Sequence, residues 1–287
     1  MYLPKPILKK HLLRLLEADL GMGDITTNAL CGEELSQAVI ISKNEPSCIL
    51  AGVEEVEALA EIFEIRAEVF LKDGDEINQG DIISRLVGKA KDLLALERTA
   101  LNLMMRMSAI ATMTKKMQGL INQVGSRSRI AATRKTLPGF IYFDKKAVAI
   151  GGGDTHRLHL EDMVLIKDNH IILAGGIEKA LKRVKDKVSF SKKIEIEVKN
   201  ETEAVQAARL GADIVMLDNF SPLAVKQTIS LFEKEGLRER VLIEVSGNIN
   251  EQNVVEYAKA NPDIISCGAL THSVKAVDMS MKLMIMD

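Results

Sequence analysis

The 287-residue chain has no tryptophan, three tyrosines and seven phenylalanines, so aromatic side chains are scarce. Missing with them is the interleaving of basic and aromatic residues on which single-stranded nucleic acids stack. An excess of one charge is lacking too. Thirty-eight Lys and Arg face 40 Asp and Glu, a net charge of −2, and no long basic run occurs, which excludes a non-specific nucleic-acid binder. Cys31, Cys48 and Cys267 lie far apart without CxxC or Cys/His spacing. That excludes a thiolate metal site and reads as free thiols in a reducing compartment. No apolar run approaches the ~18 residues that a bilayer helix needs. Near the start, Ile7, Leu8, Leu12, Leu15 and Leu16 stand at helical spacing, Glu17 and Asp19 interrupt the apolar texture, and no small-residue cleavage site follows. This predicts an amphipathic helix over residues 5–20, not a signal peptide, and a cytoplasmic protein.

What the chain does contain is a local concentration of cations. Between Thr133 and His170, Arg134, Lys135, His156, Arg157 and Lys167 surround the triple glycine Gly151–Gly153. Cations gathered without a basic background predict a receptor for a small, highly anionic ligand.

The texture changes twice along the chain. After GDITT (Gly23–Thr27), short apolar or alternating segments at Ala38–Ile41, Cys48–Leu50, Ala67–Leu71 and Ile82–Val87 are separated by turn signals, with a helix expected at Val53–Ile62. The first hundred residues thus predict an α+β domain with an antiparallel sheet. A long helix is expected from Lys91 to about Val124, carrying Glu97, Arg98, Asn102 and Arg106 as a polar stripe. Beyond it strands and helices alternate. Strands are expected at Arg129–Ala132, Met163–Ile166, Lys193–Val198, Ile214–Leu217, Val241–Val245 and Ile264–Cys267, which predicts a parallel sheet, doubly wound or closed as a barrel. No G-x-G-x-x-G follows the first of these strands, which argues against a dinucleotide-binding sheet.

In a barrel the chemistry sits at the carboxyl ends of the strands. Here those ends read Thr133-Arg134-Lys135, Lys167, Glu197, Asp218-Asn219, Ser246-Gly247-Asn248 and Gly268. Arg forks and Lys point charges suit carboxylates and phosphates. Gly151–Gly153, Ser246-Gly247 and Gly268-Ala269 offer backbone N–H groups for phosphate if they open helices. Glu197 and Asp218 can hold Mg²⁺ or hydroxyls and face a developing positive charge. Each has a plainer alternative: a surface ion pair for Arg134 or Arg157, a helix C-cap for Gly151–Gly153, an N-cap for Asp218. Glu195, on the same strand face as Glu197, reads as an ordinary edge charge, and His11, His159, His170 and His272 read as structural.

In family order the chain also carries GDITT, ALERTALN (Ala95–Asn102), TRKTLPG (Thr133–Gly139), GGGDTHRLHLEDMVLIKDNH (Gly151–His170), IEIEV (Ile194–Val198), LDNF (Leu217–Phe220), EVSG (Glu244–Gly247) and GALTHSVKAVD (Gly268–Asp278). By these motifs it resembles the quinolinate phosphoribosyltransferases over nearly its whole length. The resemblance implies an α/β protein: an N-terminal α+β sandwich domain over residues 1–110, to which a C-terminal helix at about 275–287 returns, and an incomplete TIM-like barrel over 111–274. It implies transfer of the phosphoribosyl group of phosphoribosyl pyrophosphate to quinolinate with decarboxylation, for NAD biosynthesis. It further implies Mg²⁺ as cofactor and a homodimer with shared active sites, or a hexamer, with no nucleic-acid or membrane partner.

By matching motif, Arg134, His156, Arg157 and Lys167 would bind the quinolinate carboxylates, and Lys135 would serve quinolinate or the phosphoribosyl group. Arg98 would enter the neighbouring subunit's site. Glu197 and Asp218 would hold ribose hydroxyls and Mg²⁺, and Ser246, Gly247, Asn248, Gly268 and Ala269 would hold the 5′-phosphate. Lys135, Lys167, Glu197 and Asp218 would carry the catalysis. Two departures stand out: Ala132 where many relatives have Asp, and Asn248 where many have a second Gly. A Schiff-base aldolase using Lys167, or an inactive binder of pyridine dicarboxylates, are the readings from other classes.

Overall fold

The computed structural model describes residues 3–285, which divide into two compact units. The first comprises Met1–Met113, Ala149–Gly151 and Val274–Asp287, and the second Thr114–Val148 and Gly152–Ser273.

In the first unit α1 (Lys5–Leu20) buries Leu8, Leu12 and Leu16, a four-residue repeat that lays one stripe against the core. The short α2 (Ile25–Leu30) starts at Asp24, whose carboxylate accepts from the N–H groups of Thr26 and Thr27. Then come β1 (Leu35–Ser42), β2 (Cys48–Ile49), α3 (Val53–Ile62), β3 (Arg66–Val69), β4 (Glu76–Ile77), β5 (Ile82–Lys89) and the long α4 (Ala90–Gln123). The main sheet is antiparallel, as the alternating segments predict.

Its fourth strand corrects an expectation. Residues 279–285, expected as part of a C-terminal helix, form a strand that pairs antiparallel with β1, Ser36 opposite Ile285 and Ile40 opposite Met281. (Residues 286–287 of that range lie outside the described residues.) The reason is a period of two: Met279 and Met281 are buried whereas Lys282 and Met284 are exposed. Numbered β12, this strand gives the sheet order β12-β1-β5-β3, with β2 and β4 forming a separate pair.

The second unit alternates strand and helix: β6 (Arg129–Ala132), α5 (Ile141–Ile150), β7 (Val164–Ile166), α6 (Asp168–Ala174), α7 (Ile177–Lys187), β8 (Ile194–Val198), α8 (Glu201–Arg209), β9 (Ile214–Asp218), α9 (Pro222–Lys234), β10 (Leu242–Ser246), α10 (Val254–Ala258), β11 (Ile264–Cys267) and α11 (Ala269–His272). Five strands lie side by side in chain order from β7 to β11, and β6 then pairs with β11. A doubly wound sheet would reverse its order partway. Continuous progression that ends with the first strand beside the last is the order of a barrel, left open between β6 and β7. In place of a further strand, Asp154 joins the free edge of β6: its N–H donates to the Ile130 carbonyl, and its own carbonyl accepts from the Ala132 N–H.

Candidate active site

Strand register determines which side chains face inward. Glu197 lies opposite Met216, Met216 opposite Glu244, and Asp218 opposite Ser246. Partners in a parallel ladder point to the same face, and alternate residues share it. Leu165, Glu195, Glu197, Met216, Asp218, Glu244 and Ser246 therefore form one inner face. All of these but Glu195 line a cavity of about 580 Å³, with Arg134, Lys135, His156, Arg157, Lys167, Gly247, Asn248 and Ser266.

The five predicted cations therefore meet in one cavity with the two predicted carboxylates. Lys167 sits at the start of α6, where its N–H donates to His170 Nδ1, so His170 has the structural role expected of it. The Lys167 ammonium donates to Glu197 Oε2 at 2.7 Å, which places opposite charges side by side in the cavity mouth. Asp218 accepts from the Asn219 amide at 2.8 Å. It does not cap α9, since Ser221 does so through its hydroxyl and the Ala224 N–H.

Gly247 has φ +101°, and a Cβ there would lie 2.3 Å from Asn219 Oδ1 and 2.9 Å from the Asn219 N atom. Only glycine lets the β10 loop pass so close to the β9 loop. Asn248 adds a bond from its amide to Asn219 Oδ1 at 3.1 Å, a contact that a glycine there could not make. Gly268 and Ala269 do not line the cavity. Gly268 lies behind it, where an added Cβ would meet Lys135 Cδ at 3.0 Å.

Two expectations fail here. Gly151–Gly153 follow the C-terminal end of α5 and line no part of the cavity, so they open no helix for a phosphate. Gly153 serves packing instead: its N–H donates to the Val148 carbonyl, and a Cβ would stand 2.6 Å from Thr114 Cγ2. Glu195 is no edge charge. It is fully buried, 3.3 Å from His156 Nε2.

The same nitrogen donates to Glu244 Oε2 at 3.1 Å, and Glu244 is also fully buried. Burial alone would lower the imidazole pKa, but hydrogen bonding and charge from Glu195 and Glu244 overrule it and push it up to about 10. Burial, and then repulsion from Glu244, push the Glu195 carboxyl up to about 7 against the pull of His156. The donor atoms of these three residues lie within 4.8 Å of one another, a spacing that could hold a metal ion. With the imidazole protonated, the three residues form an ion-pair cluster that fixes a cation at the cavity wall.

The loop that carries His156 is itself braced. His156 has φ +51°, and its N–H donates to Asp154 Oδ1 at 2.7 Å. Asp162 Oδ2 accepts from the N–H groups of Leu158 and His159. Arg98 lies elsewhere, on α4 in the first unit, with its side chain 58% exposed and 3.7 Å from Glu97. It does not line the cavity.

An open parallel α/β barrel whose cavity gathers five cations with the carboxylates of Glu197, Asp218 and Glu244 defines an enzyme that handles small polyanions. The chain matches the N-terminal domain of quinolinate phosphoribosyl transferase over residues 24–108 and its C-terminal domain over 110–282, and it belongs to that family. It is 47% identical over 270 residues to the probable nicotinate-nucleotide pyrophosphorylase [carboxylating] of Methanothermobacter thermautotrophicus, covering 94% of this chain and 96% of that one. With the human nicotinate-nucleotide pyrophosphorylase [carboxylating] the identity is 35%, over 86% and 82% of the two chains. The structure of the nicotinate-nucleotide pyrophosphorylase from Francisella tularensis superposes with a TM-score of 0.89 at 36% identity, covering 99% and 98%.

Proposed function

We propose that this chain transfers the phosphoribosyl group of phosphoribosyl pyrophosphate to the nitrogen of quinolinate, with release of pyrophosphate and CO₂, and so forms nicotinate mononucleotide for NAD biosynthesis. The single observation that carries this reading is the meeting of Arg134, Lys135, His156, Arg157 and Lys167 with Glu197 and Asp218 in one cavity. Two adjacent carboxylates on a pyridine ring need several fixed cations, whereas a monocarboxylate would leave most of them unpaired. His156, Arg157, Arg134 and Lys167 bind the dicarboxylate, and Lys135 serves either it or the phosphoribosyl group. Ser246, Gly247 and Asn248, which line the cavity, receive the 5′-phosphate.

Displacement of pyrophosphate at ribose C1 builds positive charge on the sugar, which the carboxylates of Glu197 and Asp218 stabilise. The pyridine nitrogen becomes quaternary in this step. The ring can then hold the electron pair left when the adjacent carboxylate departs as CO₂, until a proton from solvent water takes that pair at the same carbon, so orientation and charge matter more than a general base. Glu197 and Asp218 would hold Mg²⁺ through their hard oxygen donors, and the ion would supply positive charge to offset that of the leaving pyrophosphate.

We place the reaction in a homodimer, alone or within a hexamer, in which Arg98 enters the neighbouring subunit's site. No helix of the described residues is long and apolar enough to cross a membrane, and the three free cysteines support a reducing, cytoplasmic setting. The aldolase reading has little support, because the Lys167 amine is half-exposed and paired with Glu197, not desolvated for nucleophilic attack.

The test is to supply quinolinate, phosphoribosyl pyrophosphate and Mg²⁺ and to follow CO₂ and nicotinate mononucleotide together. Equal yields are expected from the wild type, with at least ~10²-fold lower kcat/KM in folded Lys167→Ala or Arg157→Ala. No release of either product by folded wild type would overturn the reading.

A further inference from the structure

Lys145 is the least expected side chain in the second unit. It lies on α5, is fully buried, and does not line the cavity. A buried lysine is rare unless something pairs with it. Here its ammonium donates to the main-chain carbonyl of Thr155 and, at 3.2 Å, to that of Arg157. These carbonyls belong to the residues on either side of His156, whose left-handed backbone lets one amine reach both. Burial pushes the Lys145 amine down to about 8, with Asp154 opposing and Arg134 and Arg157 adding to the shift. An apolar residue would fill the same space without the cost of burying an amine. The two carbonyls are what the amine gains.

We propose that Lys145 is a positioning residue for dicarboxylate recognition: it clamps the carbonyls flanking His156 and thereby sets where the His156 and Arg157 side chains point. The clamp and the Glu195–Glu244 pair grip the same residue by different groups. That pair holds the imidazole of His156, and Lys145 holds its backbone. Without the ammonium, two buried carbonyls lose a charged donor and the left-handed residue loses a brace. The inference rests on the phosphoribosyltransferase reading for the identity of the dicarboxylate.

The test compares wild type with Lys145→Met, which keeps the length and loses the donor, by calorimetric titration with quinolinate and by steady-state kinetics. Quinolinate Kd and KM should rise roughly 10- to 100-fold, while the KM for phosphoribosyl pyrophosphate stays within about 2-fold. A folded Lys145→Met enzyme with unchanged quinolinate affinity, or with both KM values raised alike, overturns the proposal. If that variant does not fold, Lys145→Ala with added n-propylammonium decides. Restoration of quinolinate affinity by the amine, and not by 1-propanol of equal length, supports the clamp, whereas equal restoration by both, or by neither, overturns it. The wild-type control keeps the two readings apart. Wild type that binds quinolinate yet forms no nicotinate mononucleotide refutes the proposed function and leaves the clamp testable by binding.

Discussion

His156 Nε2 stands 3.1 Å from Glu244 Oε2, a bond between a loop that extends the free edge of β6 and the inner face of β10. It makes the imidazole a fixed cation. The folded pKa, about 10, lies above the ordinary 6.5, so this contribution is complete below pH ~6.5 and is lost only as pH rises through about 10. Wild-type affinity for quinolinate should thus owe no pH dependence to His156 near neutrality. Glu244→Gln removes one charge from the cluster. It should raise quinolinate KM about 10-fold at pH 8 and bring the loss of affinity to lower pH. Superimposable KM–pH profiles for wild type and variant would refute this.

Glu195 also makes stability fall as pH rises, but as a penalty on its charged form where His156 loses a favourable one. Its carboxyl titrates near 7 in the fold against 4.5 in an open chain, so ionising it costs stability as pH rises between those values. Burial and the Glu244 charge outweigh what His156 returns. Glu195→Gln should therefore melt higher than wild type above pH 7, by about 2–4 °C for each kcal/mol relieved, with the gain fading below pH 4.5. Activity should fall at the same time, since the imidazole loses one of its two anchors. A melting temperature lower than wild type at pH 8 would count against the repulsion between the two buried carboxylates.

Gly247 links the β9 and β10 loops through its contact with Asn219. Gly247→Ala forces a side chain into a left-handed residue and against backbone, at a cost of roughly 1–3 kcal/mol. Phosphate recognition should suffer first, so KM for phosphoribosyl pyrophosphate should rise while KM for quinolinate moves little. Kinetics in which only the quinolinate KM changes would show that this loop serves the other substrate.

The sequence shows the candidate site where polarity changes abruptly along a strand. Lys167 after Met163–Ile166 and Asp218 after Ile214–Leu217 each end an apolar run, Glu197 falls in the alternating IEIEV, and the register brings all three to one cavity. It was less informative inside the runs. Glu195 and Glu244 interrupt apolar stretches, and the alternation of IEIEV does place Glu195 on the face of Glu197. Their partner His156 is 39 and 88 positions away, however, and no local pattern announces that pairing. Lys145 was hidden for another reason. The apolar positions Phe143 and Ala147 mark one face of α5 and leave Lys145 on the other, where a charge is normally solvated, yet it is buried. At the chain's end, Met-rich residues 279–285 fit helix or strand by composition, and only a period of two set by pairing with β1 decides between them.

Arg98 provides the last prediction. It is exposed on α4, and the proposed function has it enter a second copy's site. If it does, Arg98→Ala and Arg157→Ala are each nearly inactive, but mixing them gives hybrid dimers in which one site carries both lesions and the other carries none. Random reassortment of equal amounts makes half the dimers hybrids, so activity should return to about one quarter of wild type. The measurement is product formation after mixing and slow exchange of subunits, with each variant alone as control. Activity that stays at the level of the separate variants, in samples shown by mass spectrometry to contain hybrids, would mean that Arg98 and Arg157 serve the same subunit.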